Sequence, residues 1–563
     1  MAIKEKKWLN RYPKEISPVL DYDDKPLFSY LEEACLSFPK KTAIHFLGKE
    51  MTYQELYRQT CQLAGSLRRM GLKKGDRVAI MLPNCPQGVI SYYAALMAGG
   101  VVVQTNPLYM ERELEHQLGD SGAKFMICLD LVYPKVARVR GKTALKKVIV
   151  TAIQDYLPFP KNLLYPFVEK RKKTPLPKIM FSDSVLDFKG SIQSGESSFT
   201  PVSIDAKKDL ALLQYTGGTT GPAKGVMLTH YNLTTNTIQA RHWMYKNRYA
   251  EETVLGALPF FHVYGMTCVM NYAIMYVAKM IIVPKFDVQD ILKTIEKQKP
   301  TMFPGAPTMY IALINHPDIR KFDLSSIETC ISGSAPLPKE VQERFESLTG
   351  GKLVEGYGLS EASPVTHSNL IWGERKPGSI GLPFPDTDAK VVSAETGEEA
   401  DINEIGELMV KGPQVMQGYW NRPDETEAVL KDGWLLTGDL AYMDEEGYFY
   451  IVDRKKDMIL ASGFNIYPRE IEEVLYEHPD VREAAVIGVP DAYRGETVKA
   501  FVVPKQGKTL DEKELNTYCR KHLAAYKVPR IYEFRNELPK TTVGKILKRT
   551  LINEEKTEKV SSE

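Results

Sequence analysis

The chain lacks a strong excess of either charge and carries no segment typical of nucleic-acid recognition. Its 73 Lys and Arg face 71 Asp and Glu, for a formal net charge of +2. No global field therefore attracts a polyanion, and no nucleic-acid-binding motif is evident. We expect no nucleic-acid partner. Hydrophobic residues make up 43% of the chain, which is ordinary for a globular protein.

Cysteines are few and scattered, with no Cys-x-x-Cys pair and no cluster of cysteine with histidine. The seven are Cys35, Cys61, Cys85, Cys128, Cys268, Cys330 and Cys519. This spacing argues against both a disulfide framework and a zinc site. Buried, reduced thiols in a cytoplasmic protein are the expectation.

The hydrophobic pattern of the sequence also predicts neither a secretory signal nor a membrane span. Residues 1–16 contain lysines with no apolar stretch behind them. The most apolar stretch, 258–284, is interrupted by Pro259, His262, Gly265, Asn271 and Lys279. It falls short of the roughly 20 clean residues that a spanning helix needs. We predict a buried strand–helix–strand segment there.

What the chain does have is a regular alternation of helix and strand patterns. Helical spacing at 52–70, 91–97 and 111–118 alternates with strand-like runs at 77–82, 101–104 and 124–129. A second alternating region covers 253–353. The pattern predicts an α/β fold of layered, mainly parallel sheets.

The character of the sequence changes after residue 380. Short strands between Gly, Pro and Asp turns predict a β-rich subdomain at about 380–450. Helices at 468–476 and 511–522, with strands at 484–489 and 499–503, indicate a small α+β unit. We predict a large N-terminal domain at 1–453, a small mobile domain at 454–550, and a disordered polar tail at 551–563.

A glycine-rich loop narrows the function most. Residues 215–225 read YTGGTTGPAKG, and glycines at this density let backbone N–H groups approach a ligand. The Thr219 and Thr220 hydroxyls and the Lys224 ammonium suit a polyphosphate. A flexible linker is the alternative, although its strand-like flanks argue against it.

The loop differs from a Walker-type phosphate loop. That motif ends in Gly-Lys-Ser/Thr and leads directly into a helix. Here Ala223 precedes Lys224, Gly225 follows it, and residues 225–230 read as a strand. The letters therefore indicate a phosphate loop of another kind.

Seven further motifs follow the loop in order. They are PFFHVYG (259–265), SGSAPLP (332–338), EGYGLSEAS (355–363), WLLTGD (434–439), DRKKD (453–457), SGFNIYPREIE (462–472) and PKTTVGKI (539–546). On these strings the chain resembles acyl-CoA synthetases of the adenylate-forming superfamily, over about residues 30–548. Among them it is most similar to bacterial long-chain fatty-acid–CoA ligases.

The resemblance implies ATP, Mg²⁺ and coenzyme A, and assigns roles by position. The catalytic residues would be Thr219, Lys224, Glu361 and Lys545, with Glu361 as the Mg²⁺ ligand, because Mg²⁺ binds through one or two carboxylates plus substrate phosphates. Those implied to bind ATP are Tyr215, Thr216, Gly217, Gly218, Thr220, Gly221, Gly333, Ser334, Ala335, Glu355, Gly356, Tyr357, Ser360, Asp439 and Arg454.

Several of these roles make physical sense by themselves. The Tyr357 ring can stack on a purine, Asp439 can accept both ribose hydroxyls, and Arg454 offers a fixed fork of donors. A surface ion pair is the alternative for Asp439 and Arg454, as a tight turn is for Gly333. The chain departs from the family in having Ser360 for the usual Thr and Pro222-Ala223 for a variable residue followed by Pro.

The remaining implied roles concern the acyl group, CoA and the domain hinge. His262, Val263 and Tyr264 would line the acyl-carboxylate entrance, while a core histidine is the alternative for His262. The C-terminal domain would rotate about Lys456 and bring the face carrying Gly463 toward CoA, withdrawing Lys545.

PFFHVYG holds no acid that could bind an α-amino group, so an amino-acid substrate is disfavoured. Residues 106–124 and 155–170 resemble the long-chain enzymes. Three alternatives stay open: transfer to a carrier protein, a medium-chain or aryl acid, and a non-catalytic binder. The expected partners are a fatty acid and CoA, with a homodimer as an option.

A final segment, 155–173, combines apolar residues with a basic run. Leu163/Phe167 and Leu164/Val168 are spaced i,i+4, and residues 170–173 read KRKK. This composition is typical of a helix lying in an anionic lipid surface, here the inner face of the cell membrane. Against it, Pro160 and Pro166 should break the helix, and packing on the protein's own domain is the alternative.

Overall fold

The computed structural model describes residues 5–171, 176–216, 222–393, 396–461, 464–491, 494–541 and 544–562. The strands in chain order are β1 Thr42–Phe46, β2 Lys49–Thr52, β3 Arg77–Met81, β4 Val101–Gln104, β5 Phe125–Leu129, β6 Lys147–Thr151, β7 Val185–Asp187, β8 Leu210–Thr216, β9 Lys224–Thr229, β10 Thr253–Gly256, β11 Lys279–Ile282, β12 Thr329–Ser332, β13 Lys352–Gly358, β14 Val365–Ser368, β15 Leu382–Pro383, β16 Asp388–Val392, β17 Gly406–Lys411, β18 Gly418–Tyr419, β19 Leu430–Lys431, β20 Trp434–Met443, β21 Phe449–Arg454, β22 Ile459–Ala461, β23 Phe464–Ile466, β24 Val481–Asp491, β25 Gly495–Pro504 and β26 Ile531–Phe534.

The α-helices are α1 Ser29–Ser37, α2 Tyr53–Arg69, α3 Pro86–Met97, α4 Glu111–Ser121, α5 Tyr133–Arg140, α6 Lys161–Arg171, α7 Phe188–Gln193, α8 His230–Trp243, α9 Val263–Gly265, α10 Tyr272–Tyr276, α11 Val288–Gln298, α12 Pro307–Ile314, α13 Lys339–Thr349, α14 Pro423–Val429, α15 Pro468–Glu477, α16 Glu512–His522 and α17 Lys548–Ser562. A π-helical turn, Met266–Asn271, joins α9 to α10. The 3₁₀ turns are Lys7–Arg11, Asp130–Val132, Ile153–Tyr156, Ile319–Lys321 and Ser360–Ala362.

The largest sheet has eight strands in the order β18-β9-β8-β4-β3-β5-β6-β7. Strands β3 to β8 pair in parallel, whereas β8 and β9 form an antiparallel hairpin. The three strands predicted at 77–82, 101–104 and 124–129 are β3, β4 and β5, and their core positions are buried. The predicted α/β fold is confirmed.

Where local sequence signals are strong, they predict the bounds of a helix well. α2 begins at a capping box in which the Thr52 hydroxyl accepts from the Glu55 amide at 3.2 Å and the Glu55 carboxylate accepts from the Thr52 amide at 2.8 Å. Its buried residues Leu56, Leu63 and Leu67 recur at helical spacing. The helix predicted at 52–70 is therefore confirmed.

The apolar stretch 258–284 folds as expected. β10 precedes it, α9, the π-helical turn and α10 follow, and β11 closes it. β10, β11 and β1 pair in parallel in a second sheet. Every residue of the π-helical turn is buried, so this apolar stretch belongs to the core. Among the described residues, no helix is both long and apolar enough to cross a membrane.

Helix α8 is buried although it is rich in polar residues. The amide groups of its side chains reach backbone oxygens of distant segments: Asn232 donates to Pro413 and Val415 at 2.8 and 3.0 Å, and Asn236 donates to Val365 at 2.7 Å. Buried polar groups are tolerated when they are paired in this way. The helix thus holds the start of β14 and the loop that follows β17.

Three further sheets complete the described fold, and the first of them has four strands in the order β12-β13-β14-β15. Strands β16, β17, β19, β20 and β21 form an antiparallel sheet over the stretch predicted to be β-rich. Strands β22 to β26, covered by α15 and α16, form the α+β unit with its own apolar core.

The prediction of a disordered tail at 551–563 is wrong for the described part of it. α17 runs to Ser562, and Leu551 is fully buried in a second cluster of the C-terminal unit. Glu554 pairs with Arg535 at 2.6 Å and Glu555 pairs with Lys499. One buried leucine and two ion pairs hold this segment in place, although its polar composition is typical of a solvent-exposed tail.

The seven cysteines are all unpaired, and six of them are buried. Burial raises the pKa of their thiols, to about 12 for Cys85 and Cys268. These thiols therefore stay protonated near neutral pH, as the sequence predicts.

Candidate active site

The glycine-rich loop connects the two antiparallel strands of a hairpin. Thr216 at the end of β8 lies opposite Lys224 at the start of β9. The predicted ligands Gly217, Gly218, Thr219, Thr220 and Gly221 lie outside the described residues. The hairpin brings both ends of the loop to the same sheet edge.

Aromatic rings flank the hairpin beside the loop. A Cβ on Gly225 would lie 3.2 Å from the Tyr215 ring and 3.3 Å from the Cβ of Trp420, so glycine suits this close packing. The Tyr215 hydroxyl donates to Asp120 at 2.7 Å. Tyr215, predicted to bind ATP, thus has its hydroxyl engaged within the protein.

Lys224 faces segment 418–426 (GYWNRPDET). Its ammonium forms an ion pair with Glu425 of α14 and lies 5.0 Å from the centroid of the Tyr419 ring. The Lys224 side chain therefore points toward segment 418–426, where a carboxylate neutralises its charge.

Glu361 lies on the 3₁₀ turn after β13, close to the same tyrosine. Its Oε1 accepts from the Tyr419 hydroxyl at 2.8 Å, and its backbone oxygen accepts from the Met416 amide at 2.8 Å. The carboxylate is thus held in place, and its second oxygen has no hydrogen-bond partner within the described part of the chain. Ser360 begins this turn, and Gly356 lies in β13.

Tyr357, Asp439 and Arg454 form one connected group. The Tyr357 hydroxyl donates to Asp439 Oδ2 at 2.5 Å, and Arg454 Nε lies 2.6 Å from Asp439 Oδ1. Asp439 and Arg454 are opposite each other on β20 and β21, which explains their pairing. Both oxygens of the predicted ribose acceptor are therefore occupied by protein groups.

The 332–338 segment is tied to its neighbours by packing and hydrogen bonds. A Cβ on Gly333 would lie 3.1 Å from the Tyr264 ring, so the missing side chain makes room for that ring. Ser334 has a left-handed φ of 73°, and Ala335 follows in the same turn. The Tyr264 hydroxyl donates to the Ile331 oxygen at 2.8 Å. Packing thus accounts for Gly333.

Glu355 on β13 has a buried carboxyl that accepts from the Leu337 amide at 3.1 Å. Burial raises its pKa to about 7, opposed by the charge of Arg469. The side chain ties the 332–338 segment to β13.

His262 caps α9, and its Nδ1 accepts from the Tyr264 amide at 3.3 Å. Val263 beside it is fully buried. Loss of hydration, together with the positive charge of Lys545, lowers the pKa of His262 to about 4. The imidazole is therefore neutral at physiological pH and lies near the predicted catalytic lysine.

Lys545 lies at the end of a tight turn in the C-terminal unit. The Thr541 amide donates to the Lys545 oxygen at 2.8 Å, and Gly544 has φ +81°. A Cβ on Gly544 would clash with Thr308 of α12. The glycine therefore lets this turn dock on the large domain and present the lysine to the cleft.

The side chain of Lys545 stays accessible to solvent, but protein groups surround it. Partial loss of hydration, followed by the charge of Arg454, lowers its pKa to about 8. Within the described part of the chain, no carboxylate is at ion-pair distance from this ammonium. Lys545 thus faces the Asp439–Arg454 pair with an unpaired charge.

Lys456, the predicted hinge, lies in the exposed turn 455–457 between β21 and β22. The Lys455 amide donates to the Gly438 oxygen at 3.0 Å, and the Asp457 amide donates to the Arg454 oxygen at 3.0 Å. Gly463, predicted to face CoA, lies outside the described residues. The turn is thus a short connection between the two units.

Sequence reasoning missed the segment 418–426. Tyr419, Trp420, Arg422 and Glu425 surround Lys224 and Asp120, with Arg422 pairing with Asp120 at 3.0 Å. Aromatic, basic and acidic residues crowd this short string, and that density is the signal that could have identified it. Their distance in sequence from the glycine-rich loop hid the contact.

Family comparisons agree with this geometry. A family model described as AMP-binding enzyme matches residues 31–420, and one for the C-terminal domain of the same enzymes matches residues 470–545. This chain belongs to the AMP-binding enzyme family. The two matches fall on the two units that meet at the Lys545 cleft.

Curated relatives of this AMP-binding enzyme extend over its whole length. A long-chain-fatty-acid–CoA ligase of Bacillus subtilis is 56% identical over 98% of both chains, and one of Yersinia pestis is 43% identical over 98% of both. Among solved structures, ATP-bound MatB from Rhodopseudomonas palustris is similar with a TM-score of 0.82 at 32% identity, covering 93% of this chain and 98% of that one.

The donor set of this AMP-binding enzyme suits Mg²⁺ held mainly by a nucleotide. Among the described residues, no three His, Cys, Asp or Glu lie close enough to hold a metal ion by themselves. Glu361 nevertheless offers a hard carboxylate oxygen, and Mg²⁺ in nucleotide sites typically uses one or two carboxylates plus phosphate oxygens. The residues present therefore fit a magnesium–nucleotide complex.

Proposed function

We propose that this chain is an AMP-forming fatty-acid–CoA ligase that acts on long-chain acids. Support comes from its full-length similarity to ligases of that name and from the cleft between its two units. The observation that carries the proposal is the unpaired ammonium of Lys545, which faces the Asp439–Arg454 pair. Such a charge suits a reaction in which negative charge grows on a phosphate.

In the first half-reaction, a carboxylate oxygen of the acid attacks the α-phosphorus of ATP, and pyrophosphate leaves. Lys545 would contact the carboxylate and the α-phosphate, while Lys224 and the glycine-rich loop hold the outer phosphates. The ribose hydroxyls would replace the Tyr357 hydroxyl on Asp439, freeing the Tyr357 ring to stack on the base.

Glu361 and the nucleotide phosphates would hold the Mg²⁺ ion. The ion supplies charge neutralisation on the phosphate oxygens when it is bound. Glu361 itself is held at one oxygen by Tyr419 and at its backbone by Met416. Its other oxygen, which no described residue occupies, would face the metal.

In the second half-reaction, the thiol of CoA attacks the acyl carbon and AMP leaves. We propose that the C-terminal unit first rotates about Lys456, which withdraws Lys545 and brings the strand hairpin near Gly463 to the cleft. The turn 455–457 is exposed and short, as a hinge requires. His262, which would line the acyl-carboxylate entrance, is neutral and adds no charge there.

One assay tests this function. CoA-dependent release of AMP should be measured across carboxylic acids from acetate to oleate, with and without CoA. We expect turnover to rise with chain length and to require CoA. Acyl-AMP formation without CoA turnover would instead indicate transfer to a carrier protein. Absence of acyl-AMP with every acid would overturn the proposal.

We further propose that α6 binds the anionic surface of a membrane, which would suit a substrate that partitions into bilayers. The helix runs from Lys161 to Arg171 through Pro166, so the predicted break at that proline is wrong. Phe159, Leu163 and Phe167 are 80%, 61% and 69% exposed. Apolar side chains this exposed, beside the basic run 170–173, resemble an interfacial segment.

Vesicle sedimentation tests this surface. Replacing residues 170–173 by Gln should reduce co-sedimentation with vesicles rich in phosphatidylglycerol and leave activity on octanoate intact. The triple change Phe159→Ser, Leu163→Ser and Phe167→Ser should have the same effect. Unchanged binding at low salt in both variants would reject the proposal.

A cytoplasmic location and a homodimer stay predictions.

A further inference from the structure

Tyr419 lies between the two groups that would handle the polyphosphate. Its hydroxyl donates to Glu361 Oε1 at 2.8 Å, and its ring centroid lies 5.0 Å from the Lys224 ammonium. One side chain therefore contacts the implied magnesium ligand with its polar end and the loop lysine with its face.

The position of this tyrosine is fixed by backbone pairing. Tyr419 on β18 pairs with Val226 on β9, the strand that begins with Lys224. The Tyr419 amide donates to the Thr426 hydroxyl at 2.9 Å, and the Trp420 amide donates to the Gly225 oxygen at 2.7 Å. The ring is also buried. Tyr419 and Lys224 therefore belong to one rigid sheet edge.

The arrangement suits a phosphate site more than simple packing. A buried tyrosine needs a partner for its hydroxyl, and a backbone oxygen would serve. Here the partner is a carboxylate that, among the described residues, accepts at one oxygen only. Groups that hydrogen-bond a metal-ligating carboxylate orient it and tune its affinity for the metal.

We propose that Tyr419 is a positioning residue that holds Glu361 and Lys224 side by side for the magnesium–polyphosphate part of ATP. The proposal rests on the proposed function. The hydroxyl orients the carboxylate toward the metal, and the ring face stabilises the ammonium when it leaves Glu425 for a phosphate. Neither family comparison nor motif assigns this role to Tyr419.

Equilibrium binding of ATP in the absence of a fatty acid separates the two contacts. Tyr419→Phe keeps the ring and removes the hydroxyl. We expect its dissociation constant for ATP, measured by titration calorimetry, to rise about ten-fold in Mg²⁺ and to change little in EDTA. Tyr419→Leu should also weaken binding in EDTA, by about two- to five-fold, because the ring is lost.

A matched control comes from another hydroxyl–carboxylate pair. The Tyr22 hydroxyl donates to Asp386 at 2.7 Å on the N-terminal segment. Tyr22→Phe should leave the magnesium dependence of ATP binding unchanged. If Tyr419→Phe matches Tyr22→Phe in both thermal stability and ATP binding, Tyr419 is merely a packing residue and the proposal is overturned.

A double change tests whether the hydroxyl acts through Glu361. Once Glu361→Gln is present, adding Tyr419→Phe should cause no further loss of magnesium-dependent ATP binding, because the Tyr419 hydroxyl no longer has a carboxylate to orient. Additive losses would contradict the proposal. If the unaltered enzyme itself fails to bind ATP or to form acyl-AMP, the proposed function fails, which is a separate outcome.

Discussion

Lys224 and Lys545 present the same ammonium group to the same cleft, but in opposite electrostatic settings. Lys224 begins a strand of the large sheet and is paired with Glu425. Lys545 lies on a turn of the C-terminal unit, near Arg454 and Lys456 and also near Asp439 and Asp457, although within the described residues no carboxylate is at ion-pair distance. One charge is already neutralised and the other is not.

The difference separates a binding role from a catalytic one. When a lysine exchanges one anion for another, the net gain in free energy is small, because exposed ion pairs generally contribute little. A lysine that loses hydration and lies near a guanidinium has a depressed pKa, and it gains most when negative charge develops nearby. The structure thus favours Lys224 for holding ground-state phosphates and Lys545 for the transition state.

The largest expected effect is the loss of adenylation in Lys545→Ala. Removing one preorganised charge typically costs 10²–10³ in rate, about 3–4 kcal/mol. We expect kcat for fatty-acid-dependent pyrophosphate release to fall by this factor. Lys224→Ala should instead mainly raise the KM for ATP, roughly ten-fold, because a ground-state charge contact is lost. Identical kinetic signatures in the two variants would remove the distinction.

The next effect sharpens the comparison by fixing one lysine in place. Lys456→Pro restricts φ in the turn between β21 and β22 and removes an amide donor. We expect acyl-AMP formation to survive while CoA-dependent turnover is lost, since Lys545 could no longer withdraw. Lys455→Pro is not a suitable control, because its amide donates to Gly438; Lys456→Ala is. Full turnover in Lys456→Pro would place the hinge elsewhere.

A pH profile should show the depressed pKa of Lys545 directly. The ammonium is the useful form, its pKa is about 8 instead of 10.5, and kcat/KM reports the free enzyme. We therefore expect kcat/KM for ATP to be flat below pH 8 and to fall about ten-fold per pH unit above it. His262, with its pKa near 4, contributes no limb in this range.

The basic limb should vanish in Lys545→Ala. In the unaltered enzyme, the basic limb should lie at higher pH in the kcat profile than in the kcat/KM profile, because bound phosphates favour the ammonium. Retention of the same limb in Lys545→Ala would assign it to another group.

The smallest expected effect comes from the partner of Lys224. Glu425→Gln removes the carboxylate that competes with phosphate for this ammonium. Because exposed pairs contribute about 0.2–1 kcal/mol, we expect ATP to bind about two- to five-fold more tightly. Glu427→Gln on the same helix is the matched control. Weaker ATP binding in Glu425→Gln would show that the pair organises the site instead of competing with the ligand.

Much of the fold and several candidate residues were predictable from local sequence. The period of α2, its Thr52–Glu55 capping box and the apolar strands β3 to β5 are signals that depend on near neighbours. The motif strings identified Lys224, Glu361, Asp439 and Lys545 as candidates. The structure brings the described candidates to one cleft, and their roles remain proposals.

What escaped prediction depends on contacts between distant parts of the chain. Nothing near Tyr419 shows that β18 pairs with β9, some 190 residues earlier. The order in α17 comes from the burial of Leu551, although the composition is polar. Similarly, nothing in the sequence near Gly333 shows that the Tyr264 ring packs against its backbone.

The most direct test of the central claim compares the two half-reactions in one preparation of Lys545→Ala. Acyl-AMP formation from fatty acid and ATP is measured beside thioester formation from supplied acyl-AMP and CoA. We predict a loss of 10²–10³ in the first and little change in the second. An equal loss in both half-reactions would contradict the assignment of Lys545 to adenylation.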